Sequence, residues 1–456
     1  MSILNRFGGN LERKFVTNTL RLMRISSRTL LSPNYYCNEQ WKNRIEQDET
    51  LRQISTERYF FELNQKFAQK KSVSAVDVDL FVNSLELPES QDELEHILKK
   101  FRKTSRTTDT LESTHHAVCR FYLSHSKISD LLNILNNRIE YGIFPDLYTY
   151  NMLLNECILQ EKFDQALDVV KLMMLQEDGG NEITKTLAMF VMTKFLNEIN
   201  LDGKRNSIDP IQAEKKDENV EEDEEIEYIR VPYLTNPYFD DHFDLTDRNH
   251  IFGKSLHYFG EELLKTSTND SDKLLARTSM IIGLIFFEKW DRANSLLQSF
   301  SETNASVSKD LILILKQLSH SIDGEVIRKE IDNILDRFSK FDKILDEKSI
   351  DELLSNRVRL LSEQEPEDIM QMGSLMENFK KIRIETLNDQ MEQLIQRQRK
   401  LEIENQFADL ERKKKLYYFF ENFPKHEIDF ARAEKRIKEI RSKTIVEEEY
   451  VPPENY

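Results

Sequence analysis

Residues 141–176 constrain the fold more than any other part of the chain, because they encode two helices and the turn that precedes them. Gly142 suits the left-handed backbone at a helix C-terminus, and Pro145 cannot continue a helix. Apolar side chains then recur at three- and four-residue spacing from Tyr148, and again from Phe163 after a polar break. The pattern predicts a hairpin of two antiparallel helices, A and B.

Similar units flank this hairpin at a spacing of roughly 35 residues, as in arrays of helical repeats. A degenerate unit is predicted over Glu112 to Asp146, and a further hairpin over Val76 to Lys103. A helix from Glu182 to Asn197 follows the clear unit. The order Trp290-Asp291-Arg292-Ala293 repeats the opening of helix B, which predicts a second hairpin region at residues 245–322.

The composition favours helix throughout the chain. Only 11 Gly and 10 Pro occur among 456 residues, and 32% of the residues are charged. The apolar run Leu311 to Leu315 is short enough for a buried strand, but its neighbours suit a helix better. We therefore expect an all-α fold of helical-hairpin repeats, an α-solenoid, followed by long coiled-coil helices.

Two segments of the C-terminal third carry the apolar repeat of a coiled coil. The first begins near Glu325, and the second, after Pro366, is predicted to lie on a helix from Glu367 to about Phe420. The two segments could pair antiparallel within the chain or mediate dimerisation. The seam positions are Ile331, Ile334, Phe338, Phe341, Leu345, Ile384, Leu387, Met391, Leu394 and Leu401.

Two segments differ from the rest in charge. The first 36 residues contain six Lys or Arg, one acid and many Ser and Thr, which is typical of a mitochondrial targeting segment; an uncleaved basic arm is the alternative. Nine of the 14 residues from Glu214 to Glu227 are acidic, which predicts a disordered linker. The predicted domains are 1–36 targeting segment or basic arm, 37–200 helical repeats, 201–232 acidic linker, 233–322 second hairpin region, 323–422 coiled-coil helices and 423–456 basic then acidic tail.

Several function classes have no support in the sequence. Three cysteines leave an odd count and predict no disulfide framework, and no apolar run reaches the roughly 18 residues of a membrane span. His115, His116, Cys119 and His125 include metal-ligand types, but no second cluster completes a tetrahedral site. Phosphate-binding glycine loops and nucleophile motifs are also missing from the sequence. We expect no catalytic residue, cofactor, metal, membrane or small-molecule substrate.

The motif YGIFPD, an aromatic-Thr-aromatic-Asn helix start and the second-helix sequence KFDQALDVV resemble the pentatricopeptide-repeat family. Within it, they are most similar to the repeat proteins of the animal mitochondrial small ribosomal subunit. The resemblance is strongest from Thr114 to Gln176. It implies a non-catalytic structural component of the matrix ribosome that binds small-subunit rRNA and other small-subunit proteins. The alternative is a free mitochondrial RNA-binding regulator of transcript stability or translation.

The resemblance also implies where RNA bases would be read, namely at the fifth residue of helix A and the last residue of each repeat. In the clear unit these reader positions are Asn151 and Asn181, and in the preceding unit they are His116 and Asp146. The structural alternative is that Asn151 bonds a neighbouring helix and that Asp146 caps helix A.

A basic cluster near the C-terminus is a second candidate RNA contact, through phosphates rather than bases. The four adjacent aromatics from Tyr417 to Phe420 could stack on unpaired bases, but burial in an apolar groove is the favoured expectation. The candidate phosphate contacts are Arg412, Lys413, Lys414, Lys415, Arg432, Lys435 and Arg436.

Overall fold

The computed structural model describes residues 30–69, 71–202, 247–321, 325–340 and 345–448. The predicted acidic segment from Glu214 to Glu227, residues 1–29 of the predicted targeting segment and the end of the tail lie outside these residues. The described chain contains eighteen α-helices and one short sheet, which confirms the expected all-α fold. The elements are α1 Asn38–Gln47, α2 Glu49–Arg52, α3 Thr56–Ala68, α4 Ala75–Ser84, α5 Gln91–Arg102, α6 Glu112–Ser124, α7 Ile128–Asn136, α8 Arg138–Tyr141, α9 Leu147–Leu159, α10 Phe163–Leu175, α11 Glu182–Asp202, α12 Arg248–Thr266, α13 Asp270–Phe286, α14 Trp290–Glu302, β1 Val307–Ser308, α15 Asp310–Ser321, α16 Glu325–Lys340, β2 Leu345–Asp346, α17 Ile350–Glu421 and α18 Phe423–Glu448.

Short 3-10 turns complete the described elements. They lie at Pro33–Tyr36, Pro88–Ser90 and Thr107–Asp109. The first turn belongs to the packed fold, because Leu31 and Tyr35 are almost fully buried. Residues 31–36, which the sequence placed in the targeting segment, therefore join the same apolar core as the helices.

The helical hairpins stack in two layers. Helices α4, α6, α9 and α11 contact one another in that order and form the layer of A helices. Helix α10 of the other layer contacts both α7 and α12. Helix α9 begins at Leu147, one residue before the predicted start of helix A. Helix α10 begins at Phe163 and α14 at Trp290, both as predicted.

Local sequence fixes where these helices begin and end. Ser74 and Asp77 form a reciprocal capping box at the start of α4, which satisfies two backbone donors. Gly142 ends α8 with a φ of 66°, and its N–H donates to the carbonyl of Arg138, as the left-handed termination requires. Buried Asp79 then joins α4 to α6 by accepting a hydrogen bond from Thr114 Oγ1 at 2.8 Å.

Helices α12 and α13 approach each other closely through glycine. A Cβ on Gly253 would lie 2.6 Å from the carbonyl oxygen of Gly283, and a Cβ on Gly283 would lie 2.5 Å from the backbone nitrogen of His257. Backbones can come this close only where side chains are missing, which explains glycine at both positions. Helix α13 also contains the apolar run from Met280 to Phe286, all of which is buried.

The C-terminal elements differ from the sequence prediction in two respects. The helix expected to start at Glu367 starts at Ile350 and contains Pro366. A helix-interior proline costs about 3 kcal/mol, and burial of Ile350, Leu353 and Leu361 offsets this cost.

The predicted first coiled-coil segment is also interrupted. Leu345 pairs in β2 with Val307 of β1, in a parallel sheet of two residues per strand, rather than continuing a helical seam. Buried Ile331 and Ile334 lie on α16, which packs against α15. Phe341 lies outside the described residues.

The chain divides into two compact units, residues 1–380 and 381–456, and the division falls within α17. The first unit holds the stacked hairpins and the apolar core from Leu31 to Met372. The described part of the second unit consists of the rest of α17 and α18. Its seam residues Met391, Leu394 and Leu401 are each more than half exposed.

Candidate nucleic-acid interface

His116, the first predicted reader position, is fully buried on α6. Its Nδ1 lies 2.8 Å from Asp146 Oδ2, and Arg120 Nε donates to its Nε2 at 3.2 Å. The imidazole ring also packs against the rings of Trp41 and Phe379, with centroid distances of 5.1 and 5.6 Å. Both ring nitrogens and the ring itself are therefore engaged within the protein.

Asp146, its predicted partner, is the N-cap of α9. Its Oδ1 accepts the N–H of Thr149 at 2.9 Å, as the structural alternative predicted. Burial raises the pKa of Asp146, but the imidazole of His116 and the hydrogen bonds from Thr149 lower it more, so that this pKa lies at about 2. The carboxylate is thus a fixed charge that orients α9 and the ring of His116.

Asn151 is fully buried near the start of α9. Its Nδ2 donates to the hydroxyl of Tyr35 at 2.8 Å. The structural alternative expected a bond to a neighbouring helix, whereas the partner belongs to the 3-10 turn at Pro33–Tyr36. The base-reading amide of this unit is thus hydrogen-bonded to a residue 116 positions away in sequence.

Asn181, the second reader position of the clear unit, caps α11. Its Oδ1 accepts the N–H of Thr184 at 2.9 Å, and its Nδ2 donates to Asp368 Oδ2 on α17 at 2.7 Å. The four reader positions therefore all have hydrogen-bonding partners within the chain.

The basic candidates have the opposite environment. Arg412 and Arg432 are 82% and 73% exposed, and each lies near a single acid three residues before it. Lys413, Lys414, Lys415, Lys435 and Arg436 are exposed as well. The neighbouring aromatics Tyr417 to Phe420 are 45–69% exposed, contrary to the expectation of burial.

The residues of metal-ligand type near His116 are engaged in other ways. His115 Nδ1 accepts the N–H of Phe144 at 3.4 Å, and His125 Nδ1 lies 2.7 Å from the carbonyl oxygen of Phe121. Cys119 is buried with a free thiol, and burial raises its pKa. In the described ranges, no three His, Cys, Asp or Glu residues cluster as a metal site would require.

Sequence reasoning missed the residues that meet the reader positions. Tyr35, Asp368 and Phe379 are distant from the repeats in sequence, and no motif connects them to Asn151 or His116. The available signal was the adjacent pair Tyr35 and Tyr36, because aromatic side chains of this size contribute strongly to protein cores. Among the helices described, none is long and apolar enough to cross a membrane.

The stacked hairpins, with side-chain caps at the starts of α4, α9 and α11, define a helical-repeat protein. The family model described as mitochondrial 28S ribosomal protein S27 matches residues 4–409 of the chain. The chain therefore belongs to this family of mitochondrial small-subunit ribosomal proteins, which confirms the resemblance found in the repeats. Its location is the mitochondrial ribosome, in the matrix.

Proposed function

We propose that this chain is a structural component of the mitochondrial small ribosomal subunit that binds rRNA and neighbouring ribosomal proteins and thereby supports mitochondrial translation. We assign it no catalytic step. The observation that carries the rRNA contact is the exposed basic run from Arg412 to Lys415, in a member of a ribosomal protein family.

Phosphate contact is the chemistry that this basic run supports best. Four successive cationic side chains on one helix point in several directions around its axis, so they suit a charged RNA surface more than one defined pocket. Arg432, Lys435 and Arg436 on α18 add further exposed cations. Such contacts fix position on RNA and carry no base specificity.

Apolar exposure on the same two helices supports contact with neighbouring ribosomal proteins. Tyr417, Phe407 and Phe430 are 65–74% exposed, although aromatic side chains of this size are usually mostly buried in a folded protein. Exposed apolar groups beside cations suit an interface that contains both RNA and protein.

The experiment compares Lys413→Gln/Lys414→Gln/Lys415→Gln with the wild-type chain. Binding to small-subunit rRNA fragments should weaken about tenfold. The slope of log Kd against log salt should decrease by the contribution of roughly three phosphate contacts. The charge-matched control is Lys42→Gln/Lys103→Gln/Lys316→Gln, which removes three exposed lysines of the first unit. Equal effects of the two triple variants would contradict the assigned contact.

Sucrose-gradient fractionation of mitochondria tests the wider role. The endogenous protein should sediment with small subunits, and the Lys413 to Lys415 variant should shift toward the top of the gradient. Sedimentation of the wild-type protein apart from small subunits, with mRNA recovered in preference to rRNA after crosslinking, would support a free regulator instead.

A further inference from the structure

Two stretches of the chain cover the face of the A helices on which the reader positions lie. We name residues 31–44 the N-terminal segment and residues 357–380 of α17 the cover helix. At one end of the face, Arg44 Nη2 donates to the carbonyl of Asn83 on α4 at 2.9 Å. At the other end, buried Arg357 donates from Nε to Thr186 Oγ1 on α11 at 2.9 Å and pairs with Asp272 at 3.0 Å.

Tyr35 and Asp368 join both reader positions of the clear unit in one buried network. The hydroxyl of Tyr35 accepts from Asn151 and donates to Asp368 Oδ2 at 3.0 Å, and the same carboxylate oxygen accepts from Asn181. Tyr148 of α9 donates to Gln371 of the cover helix at 3.2 Å.

The next turn of α9 is held in a similar way by the N-terminal segment. Asn155 Nδ2 donates to the hydroxyl of Tyr36 at 2.7 Å, and that hydroxyl donates to Glu156 at 3.0 Å. The backbone N–H of Leu31 donates to Asn155 Oδ1 at 3.3 Å.

The preceding unit is covered by ring packing and by a buried arginine. Trp41 of the N-terminal segment and Phe379 of the cover helix both pack against the ring of His116. Arg120 donates from Nη1 to Asn38 at 3.3 Å. The two stretches contact each other where the backbone N–H of Ser32 donates to Glu365 Oε1 at 3.1 Å.

We infer that this face is a polypeptide-binding surface, and that the positions equivalent to base readers recognise the N-terminal segment and the cover helix of this chain instead of RNA. The consequence, which rests on the proposed rRNA binding, is that RNA is held without base reading at His116, Asp146, Asn151 and Asn181.

The physical reason is that the donors of the reader positions, and their acceptors apart from the buried Asn151 Oδ1, already have partners within the chain. An incoming base would have to displace Tyr35 and Asp368 and leave buried polar groups without partners, which is expensive in a dry site. It would also have to expose the apolar rings that pack on His116. Exposed lysines on another part of the chain make no such demand.

The first readout uses the full-length chain and a random single-stranded RNA library as the probe. Selection by the wild type should enrich no short motif, and Asn151→Ser/Asn181→Ser should change affinity less than twofold. A motif that the wild type enriches and the double variant loses or alters would overturn the inference.

The second readout does not depend on RNA binding, so it separates this inference from the proposed function. Tyr35→Phe and Asp368→Asn should each lower the Tm by several degrees and increase hydrogen exchange in residues 31–44, whereas the exposed control Tyr417→Phe should change neither. Unchanged Tm and exchange in both buried variants would overturn the inference. Failure of the wild type to bind any RNA, with the expected stability losses, would contradict only the proposed function.

Hydrogen exchange in the presence of an rRNA fragment completes the test. Protection of the N-terminal segment and the cover helix should stay constant or increase when RNA is added. Increased exchange in both stretches on RNA addition would show that RNA displaces them, and would overturn the inference even if no sequence motif is selected.

Discussion

At the scale of single residues, His115 shows how burial sets the pH response of the repeats. Burial lowers its pKa from 6.5 to about 4, although the carboxylates of Asp146 and Asp79 act in the opposite direction. Its Nδ1 accepts the N–H of Phe144, a bond that protonation of this nitrogen would break. The neutral imidazole is therefore the form that stabilises the fold.

The sign of the pH dependence follows from the depressed pKa of His115. Its contribution to stability is complete above pH 6.5 and is lost as the pH falls toward 4, because the unfolded chain binds the proton more readily. The variant His115→Gln keeps a hydrogen-bond acceptor but cannot bind this proton. Between pH 6.5 and 4, its free energy of unfolding should decrease by roughly 2 kcal/mol less than that of the wild type. Urea unfolding at several pH values measures this, and parallel curves for variant and wild type would contradict it.

At the scale of elements, the crossing of α12 and α13 depends on glycine and has a matched control in α17. An alanine Cβ at Gly283 would meet backbone atoms of α12 that cannot rotate away, so Gly283→Ala should lose about 2–3 kcal/mol of unfolding free energy. At Gly373 of α17 the nearest atom to such a Cβ is Gln40 Oε1 at 3.5 Å. Gly373→Ala should therefore be neutral or up to about 1 kcal/mol stabilising, through helix propensity.

Denaturant unfolding followed by circular dichroism distinguishes the two glycine variants. Equal stability of Gly283→Ala and Gly373→Ala would show that the helix crossing tolerates separation. The comparison is informative because both substitutions add one methyl group within a helix. The two sites differ in whether the new atom faces rigid backbone or the end of a flexible side chain.

At the scale of the whole molecule, burial of the N-terminal segment limits where a targeting segment can be cleaved. Leu31 and Tyr35 are 1% and 0% exposed, and both belong to the core of the first unit. We expect the mature matrix protein to begin before Leu31, because removal of these side chains would leave a cavity and unpaired polar groups at Asn151 and Asn155.

N-terminal sequencing of the protein from purified mitochondrial ribosomes checks this prediction. Recombinant chains that start at residue 30 and at residue 37 provide the matching stability test. The shorter chain should lose several kcal/mol of unfolding free energy relative to the longer one. A mature N-terminus beyond Tyr36, or equal stability of the two chains, would contradict a structural role for the segment.

Local patterns made much of this fold predictable from the sequence. The hairpin of α9 and α10, the left-handed Gly142 and the cap at Asp146 follow from spacing and backbone preference over a few residues. The early start of α17 was missed because Pro366 normally indicates a helix boundary, whereas tertiary burial of the preceding turns outweighed that local preference.

The sequence by itself determined the class of fold, the family and the chemical types present at the reader positions, because helix periodicity and repeat motifs are local properties. The tertiary structure decided what those positions contact. Asn151 meets a tyrosine 116 residues away and Asn181 an aspartate 187 residues away. Packing of the whole chain selects such pairs, and no spacing rule in the sequence specifies them.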